Sequence, residues 1–284
     1  MGSDIIGRFP AADRLIAEAA EHLGYDLISV CLEGSGRKHV PARQEAQVIY
    51  VVECAYACVL EDLGFGPTVA SGHSLGCYAA GFACGAFNFV TGLDVLTQVE
   101  SLQEEVVDGR DQAMGVIIGL KESDVESLLG TASEVFLANW NSPGQYVIAG
   151  DVGGVDSVLS SARERGAKQS RRLAGERAMH TPKQREVAAR LRTYLEGVSF
   201  RRLAVPFVSC RDGAVLRTAD ELRTFFGEFL AEPVQWEATV RALREGWGKD
   251  FVEVGPGNML SNMLPFIDRT ASIRTASDLL EQKR

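Results

Sequence analysis

The chain has 284 residues, of which 46% are hydrophobic and 24% are charged. This balance excludes a disordered chain, because disordered chains carry too little apolar surface to bury a core. The formal net charge of −9 argues against a general nucleic-acid-binding protein, which needs basic surface to pair with phosphates. No apolar run reaches the roughly 18 residues of a transmembrane helix, and residues 1–10 lack the apolar core of a signal peptide.

The first hundred residues predict helices around one short strand. Apolar residues at helical spacing favour helices over residues 11–23, 46–63 and 91–107. A buried-strand candidate, residues 68–71, follows the breaker pair Gly66-Pro67. Residues 77–86 are small and apolar enough for a buried helix.

A different pattern runs from about residue 112 to residue 173, where strand and helix signals follow the order β-α-β-β-α-β of a ferredoxin-like unit. Ser123 with Glu126 reads as a capping box at the start of its first helix. The predicted elements are a strand at 114–120, a helix at 123–129, strands at 135–140 and 145–149, a helix at 155–165 and a strand at 168–173.

The C-terminal third returns to longer helices, at 220–229 and 237–245, and then to a strand at 250–254 that enters Gly255-Pro256-Gly257. We therefore expect an α/β protein: an α/β-hydrolase-like large subdomain with an inserted ferredoxin-like small subdomain. The large subdomain takes residues 1–111 and 174–284, and the small one takes residues 112–173.

The six cysteines form no C-x-x-C pair and mostly stand among apolar neighbours. This usage predicts buried small side chains and no metal site. With no signal peptide, a reducing, cytoplasmic location is expected.

The clearest chemical motif is Gly72-His73-Ser74-Leu75-Gly76, which lies between the predicted strand and the predicted buried helix. This context is typical of a nucleophile elbow, in which glycines two positions either side of the serine avoid a clash. We expect Ser74 to be the nucleophile and the amide of Leu75 to donate to a developing oxyanion.

A serine nucleophile needs a base, and the chain has four histidines. His22 and His39 read as surface residues. In the geometry of a nucleophile elbow, His73 cannot reach Ser74 to act as its base, although it can line the acyl pocket. Elimination leaves His180 as the candidate base. The other interpretation is that His180 is one more surface histidine.

These residues resemble the malonyl-CoA:acyl carrier protein transacylase family, which includes the acyltransferase domains of polyketide synthases. The elbow looks like the family's nucleophile motif, and His180 falls where the family has its catalytic histidine. The other matching segments are residues 114–120, 139–150 (NWNSPGQYVIAG), 233–236 (PVQW) and 253–257 (EVGPG).

The resemblance implies a two-step mechanism without a bound cofactor. Ser74 would attack an acyl thioester carried by CoA or by the phosphopantetheine arm of acyl carrier protein, with His180 as the general base. A second thiol, or water, would then resolve the acyl-serine ester. The family orients its histidine with a main-chain carbonyl near the Gly-Pro-Gly loop, for which Asn258 is the candidate here.

Three departures from the family pattern bear on selectivity. The chain begins just after the point where the family's Pro-Gly-Gln-Gly loop would end, so either the start is placed late or one oxyanion donor is missing. The family's malonyl-binding arginine aligns with Gln98 or with Val99, and neither side chain carries a charge. An arginine supplied from elsewhere in the chain is an alternative that the sequence leaves open. Arg110 is not an easy substitute. The third departure is in two places. The residues before His180 are Arg177-Ala178-Met179, which differ from those of the family, and Cys77 stands where the family usually has a glutamate.

The acyl pocket is expected to include Met179, His73 and Asn141 beside Gln98 and Val99. Without a guanidinium, we rank an acyl hydrolase or a transferase of monocarboxylic acyl groups first. A malonyl-CoA:acyl carrier protein transacylase is the alternative, and a non-catalytic carrier-binding module is the second alternative. A generic lipase-like hydrolase ranks last.

Positive charge is concentrated in residues 161–202, which hold twelve Lys/Arg and four Glu. We call this segment the basic segment. Because carrier proteins of this type are acidic, it predicts a docking surface that includes Arg171, Arg172 and Lys183. A solvated helix face is the plainer interpretation. We expect a monomer that binds acyl carrier protein and acyl thioesters, with no nucleic acid and no membrane.

Overall fold

The computed structural model describes residues 1–33, 40–107, 109–175 and 177–282, so that His39 lies outside the described residues. The helices are α1 (Pro10–Leu23), α2 (Leu27–Glu33), α3 (Ala42–Asp62), α4 (Gly76–Ala83), α5 (Phe89–Val106), α6 (Glu122–Leu129), α7 (Val152–Glu164), α8 (Arg185–Glu196), α9 (Ala219–Glu228), α10 (Trp236–Trp247), α11 (Met259–Ile267) and α12 (Ala276–Glu281). The strands are β1 (Ala70–Ser71), β2 (Gln112–Ile118), β3 (Val135–Ser142), β4 (Gln145–Asp151), β5 (Gln169–Arg172), β6 (Phe207–Val208), β7 (Val215–Leu216), β8 (Val234–Gln235), β9 (Asp250–Glu253) and β10 (Ser272–Thr275).

The small subdomain is a sheet of order β5-β2-β4-β3-β8 with α6 and α7 packed against it. The pairs β5–β2, β2–β4 and β4–β3 are antiparallel. Apolar side chains of the sheet and the two helices, among them Ile117, Ile148 and Leu159, form a core of their own. The fifth strand, β8, comes from the large subdomain and pairs parallel with β3, which joins the two subdomains by backbone hydrogen bonds.

The start of α6 differs from the prediction. The helix begins at Glu122, its N-cap is Lys121, and no side chain caps it. Ser123 is therefore already inside the helix and cannot serve as the N-cap, so the predicted capping box with Glu126 is wrong. Capping boxes occur instead at Thr218 with Glu221 and at Thr275 with Asp278.

The large subdomain is assembled from both ends of the chain. Its hydrophobic core contains α3 and α5 from the first part and α8 and α9 from the second, with Val51, Leu96, Leu191 and Phe226 all buried in one cluster. The short parallel strands β1 and β6 pair in one sheet with β7, and β9 and β10 pair in another. This core holds the end of β1 against the segment before α8, where the candidate site lies.

The helices are amphipathic and packed against these cores. In the described part of the chain, none combines the length and the apolarity needed to cross a bilayer. The amphipathic helix α8, which the sequence reading passed over, buries Val187, Leu191 and Leu195 directly after the His180 segment. Its packing fixes where that segment enters the large subdomain.

Candidate active site

The elbow forms a tight turn between β1 and α4. Ser74 has φ 54°, in the left-handed region that non-glycine residues rarely adopt. A Cβ on Gly72 would lie 2.2 Å from the carbonyl carbon of Gly76, so only glycine fits there. A Cβ on Gly76 would approach nothing closer than Glu53 Oε1 at 3.9 Å. The expected clash on both sides of the serine therefore holds for Gly72 alone.

Ser74 and His180 meet although 106 positions separate them. The distance from Ser74 Oγ to His180 Nε2 is 2.7 Å. His180 is buried and also left-handed, with φ 60°. Strained residues of this kind persist where the surrounding structure holds them, and they concentrate at functional sites.

The carbonyl that orients His180 is not the expected one. His180 Nδ1 lies 3.1 Å from the carbonyl oxygen of Phe229, and the His180 backbone N–H donates to Leu230 at 2.9 Å. Both acceptors belong to a 3-10 turn, Phe229–Ala231. The prediction of Asn258 is therefore corrected: its carbonyl accepts the backbone N–H of Asn262 at 3.0 Å, at the start of α11.

The contacts of His180 also define its protonation. A carbonyl oxygen can only accept, so Nδ1 carries the proton and Nε2 is left to accept the hydroxyl proton of Ser74. Burial lowers the pKa of His180 to about 4, against a smaller opposing effect of the Phe229 carbonyl. The ring is therefore neutral near pH 7, which is the state that a general base requires.

The amide of Leu75 is available for an oxyanion. The next two amides, of Gly76 and Cys77, donate to the carbonyls of His73 and Ser74 at 3.1 and 3.0 Å. Within the described residues the Leu75 N–H makes no hydrogen bond. Its place directly after the nucleophile, beside the N-terminus of α4, suits a negative charge developing on the substrate carbonyl.

His73 and Asn141, both expected in the acyl pocket, contact each other. His73 Nε2 lies 2.8 Å from Asn141 Oδ1, and the ring packs edge-on against Trp236. Burial lowers the pKa of His73, so the ring is a neutral donor to the amide oxygen. This hydrogen bond ties the elbow to β3 of the small subdomain, where Asn139 Nδ2 also lies 3.5 Å from His73 Nε2.

The two candidates for the malonyl-binding position supply no charge. Val99 is buried in the large core, and Gln98 is half-buried with a side chain that makes no hydrogen bond to any described residue. Arg110, which the sequence already disfavoured, lies on the surface 4.0 Å from Glu186. Within the described residues, α5 therefore brings no guanidinium to the site.

Sequence reasoning missed a polar cluster beside these positions. Arg177 Nη1 lies 2.6 Å from Glu100 Oε2, with the two side chains only 14% and 11% exposed. One turn further along α5, Gln103 Nε2 donates to Gln184 Oε1 at 2.7 Å and lies 3.4 Å from Met179 Sδ. The signal was present: Glu100 and Gln103 fall on the apolar face of a predicted helix, where a buried acid needs a basic partner.

The predicted docking residues are engaged with acids of the small subdomain. Arg172 forms an ion pair with Asp156 through two nitrogens. Lys183 Nζ lies 2.9 Å from both Glu134 and Asp151. Only Arg171, whose Nη1 donates to the carbonyl of Arg172, has no acidic partner among the described residues. Carrier docking here stays a prediction, on a surface with less net charge than the sequence count implied.

The described cysteines are free thiols, and most of them are buried. Cys77, which follows the elbow, donates to the Gly72 carbonyl and lies 3.4 Å from Cys210, sulfur to sulfur. Burial raises the pKa of the Cys77 thiol well above its usual value. Burial therefore disfavours the thiolate, which is the reactive form of a cysteine.

A family model described as the acyl transferase domain matches residues 1–270. The chain belongs to the acyl transferase family. It is 30% identical to the malonyl CoA-acyl carrier protein transacylase of Synechocystis sp. over 93% of this chain and 87% of that protein. The expected family and its two-subdomain α/β fold are thereby confirmed.

Two solved structures show the same architecture. The malonyl CoA-acyl carrier protein transacylase of Coxiella burnetii has a TM-score of 0.93 and 29% identity, covering 100% of this chain and 92% of that one. A malonyl transacylase in complex with its type II polyketide synthase acyl carrier protein also has a TM-score of 0.93 and 29% identity, covering 99% and 94%. The subtype without a malonyl-binding arginine, which the sequence favoured, finds no support among these relatives.

Proposed function

We propose that this acyltransferase moves acyl groups between CoA and the phosphopantetheine thiol of an acyl carrier protein, through an ester on Ser74. The observation that carries the proposal is the Ser74–His180 hydrogen bond of 2.7 Å at a nucleophile elbow. The relatives support the partner, because one solved neighbour is a complex of a malonyl transacylase with its acyl carrier protein.

The chemistry follows from the positions of the protons. Ser74 Oγ attacks the thioester carbonyl while Nε2 of His180 takes the hydroxyl proton, and the Leu75 amide stabilises the oxyanion. The carbon–sulfur bond then breaks, and the leaving thiolate takes the proton from His180. The carrier thiol attacks the acyl-Ser74 ester by the same steps in reverse. The Phe229 carbonyl steadies the imidazolium through Nδ1.

Malonyl is the acyl group that the relatives favour. Those reported above are named malonyl transacylases, which supports malonyl transfer over the hydrolysis that the sequence ranked first. We therefore place the malonyl-CoA:acyl carrier protein transacylase reaction ahead of hydrolysis.

The second candidate is transfer or hydrolysis of a monocarboxylic acyl group. One observation favours it: Gln98 and Val99 leave α5 without the guanidinium that a malonyl carboxylate would need. The intact Ser74–His180 hydrogen bond disfavours the third candidate, a non-catalytic carrier-binding module.

Intact-mass spectrometry separates the candidates. The protein is mixed with malonyl-CoA, acetyl-CoA or butyryl-CoA, and then with the carrier protein bearing a free phosphopantetheine thiol. We expect a malonyl adduct that passes to the carrier, and no adduct on Ser74→Ala. Acetyl or butyryl adducts that decay to free acid would establish the hydrolase. The absence of every adduct would overturn the enzyme assignment.

A further inference from the structure

We propose that Glu53 supports the acylation of Ser74 as an uncharged carboxyl packed against the nucleophile elbow, and that its charged form opposes the oxyanion. This inference rests on the proposed function, because it concerns the rate at which Ser74 takes an acyl group. Glu53 lies on α3 and has no part in the proton transfers described above. Because it acts through the elbow, it is a positioning residue and not a catalytic one.

Distances to two glycines place the Glu53 carboxyl beside the elbow. A Cβ on Gly76 would lie 3.9 Å from Glu53 Oε1 and 4.0 Å from Oε2. A Cβ on Gly255, in the loop after β9, would lie 3.2 Å from Glu53 Cγ and 3.6 Å from Oε1. Gly76 directly follows Leu75, and consecutive Cα atoms are about 3.8 Å apart, so Oε1 is at most about 9 Å from the Leu75 Cα. The carboxyl therefore lies close to the amide that we assign to the oxyanion.

This carboxyl has no partner that would stabilise a negative charge. Glu53 Oε2 is buried and makes no hydrogen bond within the described residues. No lysine, arginine or histidine in the described part of the chain forms an ion pair with Glu53. A carboxylate without such partners is costly in the interior, so the group keeps its proton instead. Burial accordingly raises the pKa of Glu53 to about 8, and at neutral pH the group is mostly uncharged.

The titratable groups next to Glu53 do not neutralise it at higher pH. On α3 and α4 these groups are the thiols of Cys54 and Cys77, and burial raises the pKa of both well above the usual value. Glu253, at the end of β9, accepts two backbone N–H groups of α11 at 2.9 and 2.8 Å. All three groups are acids, so none of them can offer a positive charge to an ionised Glu53.

Charges on the other helices packed against α3 act at different positions. Arg14 of α1 affects the pKa of Cys58, and Asp94 of α5 affects the pKa of Tyr50. Neither contributes to the pKa of Glu53, which burial shifts. The protonation of Glu53 is therefore set by its burial beside the elbow.

A negative charge on Glu53 would slow acylation. When Ser74 attacks a thioester, negative charge develops on the carbonyl oxygen beside the Leu75 amide. A carboxylate on the α3 side of the same turn repels that charge, and a buried charge is poorly screened by water. We therefore expect acylation to slow above about pH 8, where Glu53 loses its proton.

The first test measures the single-turnover rate of Ser74 acylation from neutral pH to about pH 9.5, which spans the expected titration of Glu53. The donor is malonyl-CoA, or acetyl-CoA if malonyl-CoA gives no adduct. Glu53→Gln keeps the size of the side chain but cannot ionise. Over this range the wild-type rate should fall about 3- to 20-fold relative to the Glu53→Gln rate, as expected of one partly screened charge at this distance. Glu61→Gln changes an exposed glutamate of the same helix and is the matched control, which should follow the wild type.

The second test needs no activity. The folded chain holds a proton on Glu53 that the unfolded chain releases near the ordinary value of 4.5. The wild type should therefore lose stability relative to Glu53→Gln as the pH rises from about 5 to about 8, and the difference should level off above that. Melting temperatures of the two proteins across this range measure the effect.

The outcomes distinguish this inference from the proposed function. If the wild type is acylated and its rate keeps a constant ratio to that of Glu53→Gln at every pH, the inference is wrong and the proposed function stands. If no donor acylates the wild type, the proposed function fails. The melting temperatures then decide the state of Glu53: a difference that grows up to about pH 8 supports an uncharged carboxyl at the elbow, and a constant difference overturns it.

Discussion

The elbow and the His180 loop both place a left-handed residue at the site, but by different means. At the elbow, the position of Ser74 is local, since the turn from β1 to α4 closes only because Gly72 has no side chain. In the loop, His180 is held by carbonyls of the distant 3-10 turn, Phe229–Ala231. The position of the nucleophile therefore depends on the backbone of its own motif, and the position of the base depends on tertiary contacts.

The largest effect is expected from a change in the elbow, where the position of Ser74 is set locally. Gly72→Ala puts a methyl group 2.2 Å from backbone atoms, so we expect a loss of roughly 4 kcal/mol or more of folding free energy. Acylation of Ser74 should become undetectable. Gly76→Ala is the matched control, because its nearest neighbour would be 3.9 Å away; it should fold and retain activity. Melting temperature and intact mass report both results, and equal damage in the two variants would contradict the steric explanation.

The next largest effect is expected from removing the base, His180. His180→Ala should slow single-turnover acylation by about 10²–10⁴-fold, the usual contribution of a general base. His73→Ala removes a histidine from the same elbow without removing the proton acceptor, so it should lose less acylation rate. Rapid-quench measurement of the malonyl adduct checks both variants. A larger loss in His73→Ala would mean that the base is misassigned.

The third prediction concerns pH. Because burial lowers the pKa of His180 to about 4, the free base is present from neutral pH down to about pH 5. The acylation rate should therefore stay level over that range and fall as the pH approaches 4. Between pH 6.5 and 4 the unfolded chain binds the proton more readily than the folded one, so the free energy of unfolding should fall as the pH is lowered. A rate that halves near pH 6.5 would show an unburied histidine.

A smaller effect is expected where the loop is anchored to the small subdomain. Gln112 Oε1 accepts the backbone N–H of Ala178 at 2.9 Å, two residues before His180. Gln112→Ala leaves that buried amide unsatisfied, which costs about 1–3 kcal/mol. We expect slower acylation with an unchanged elbow. Unaltered kinetics would show that the turn at Phe229–Ala231 holds the loop unaided.

The smallest effect concerns the basic segment. Reversing Arg171 and Lys183 to glutamate should raise KM for the carrier protein about two- to fivefold at low salt and less at high salt, because surface charges are screened. KM for malonyl-CoA should not change. Equal losses at both salt concentrations would favour the solvated-face interpretation.

The sequence predicted most of the fold because its periodic patterns are long. The helices at 11–23 and 91–107 and the β-α-β-β-α-β order all appear in the structure with bounds shifted by a few residues. The prediction was wrong at the start of α6, where Ser123 lies inside the helix. It did not include α8, the helices α2, α11 and α12, or the strands β6, β7, β8 and β10. Where such elements begin and end depends on the neighbouring segments that pack against them, which the sequence pattern alone does not contain.

By itself the sequence determined the nucleophile elbow, the family and the order of the elements, because these depend on short-range backbone sterics and on hydrophobic periodicity. Only the tertiary structure decided which carbonyl orients His180, that His73 and Asn141 bond to each other, and that Arg177 meets Glu100. Each of these contacts joins residues 49 to 77 positions apart. Such pairings arise only when a packed core brings distant segments together and excludes water from the groups they carry.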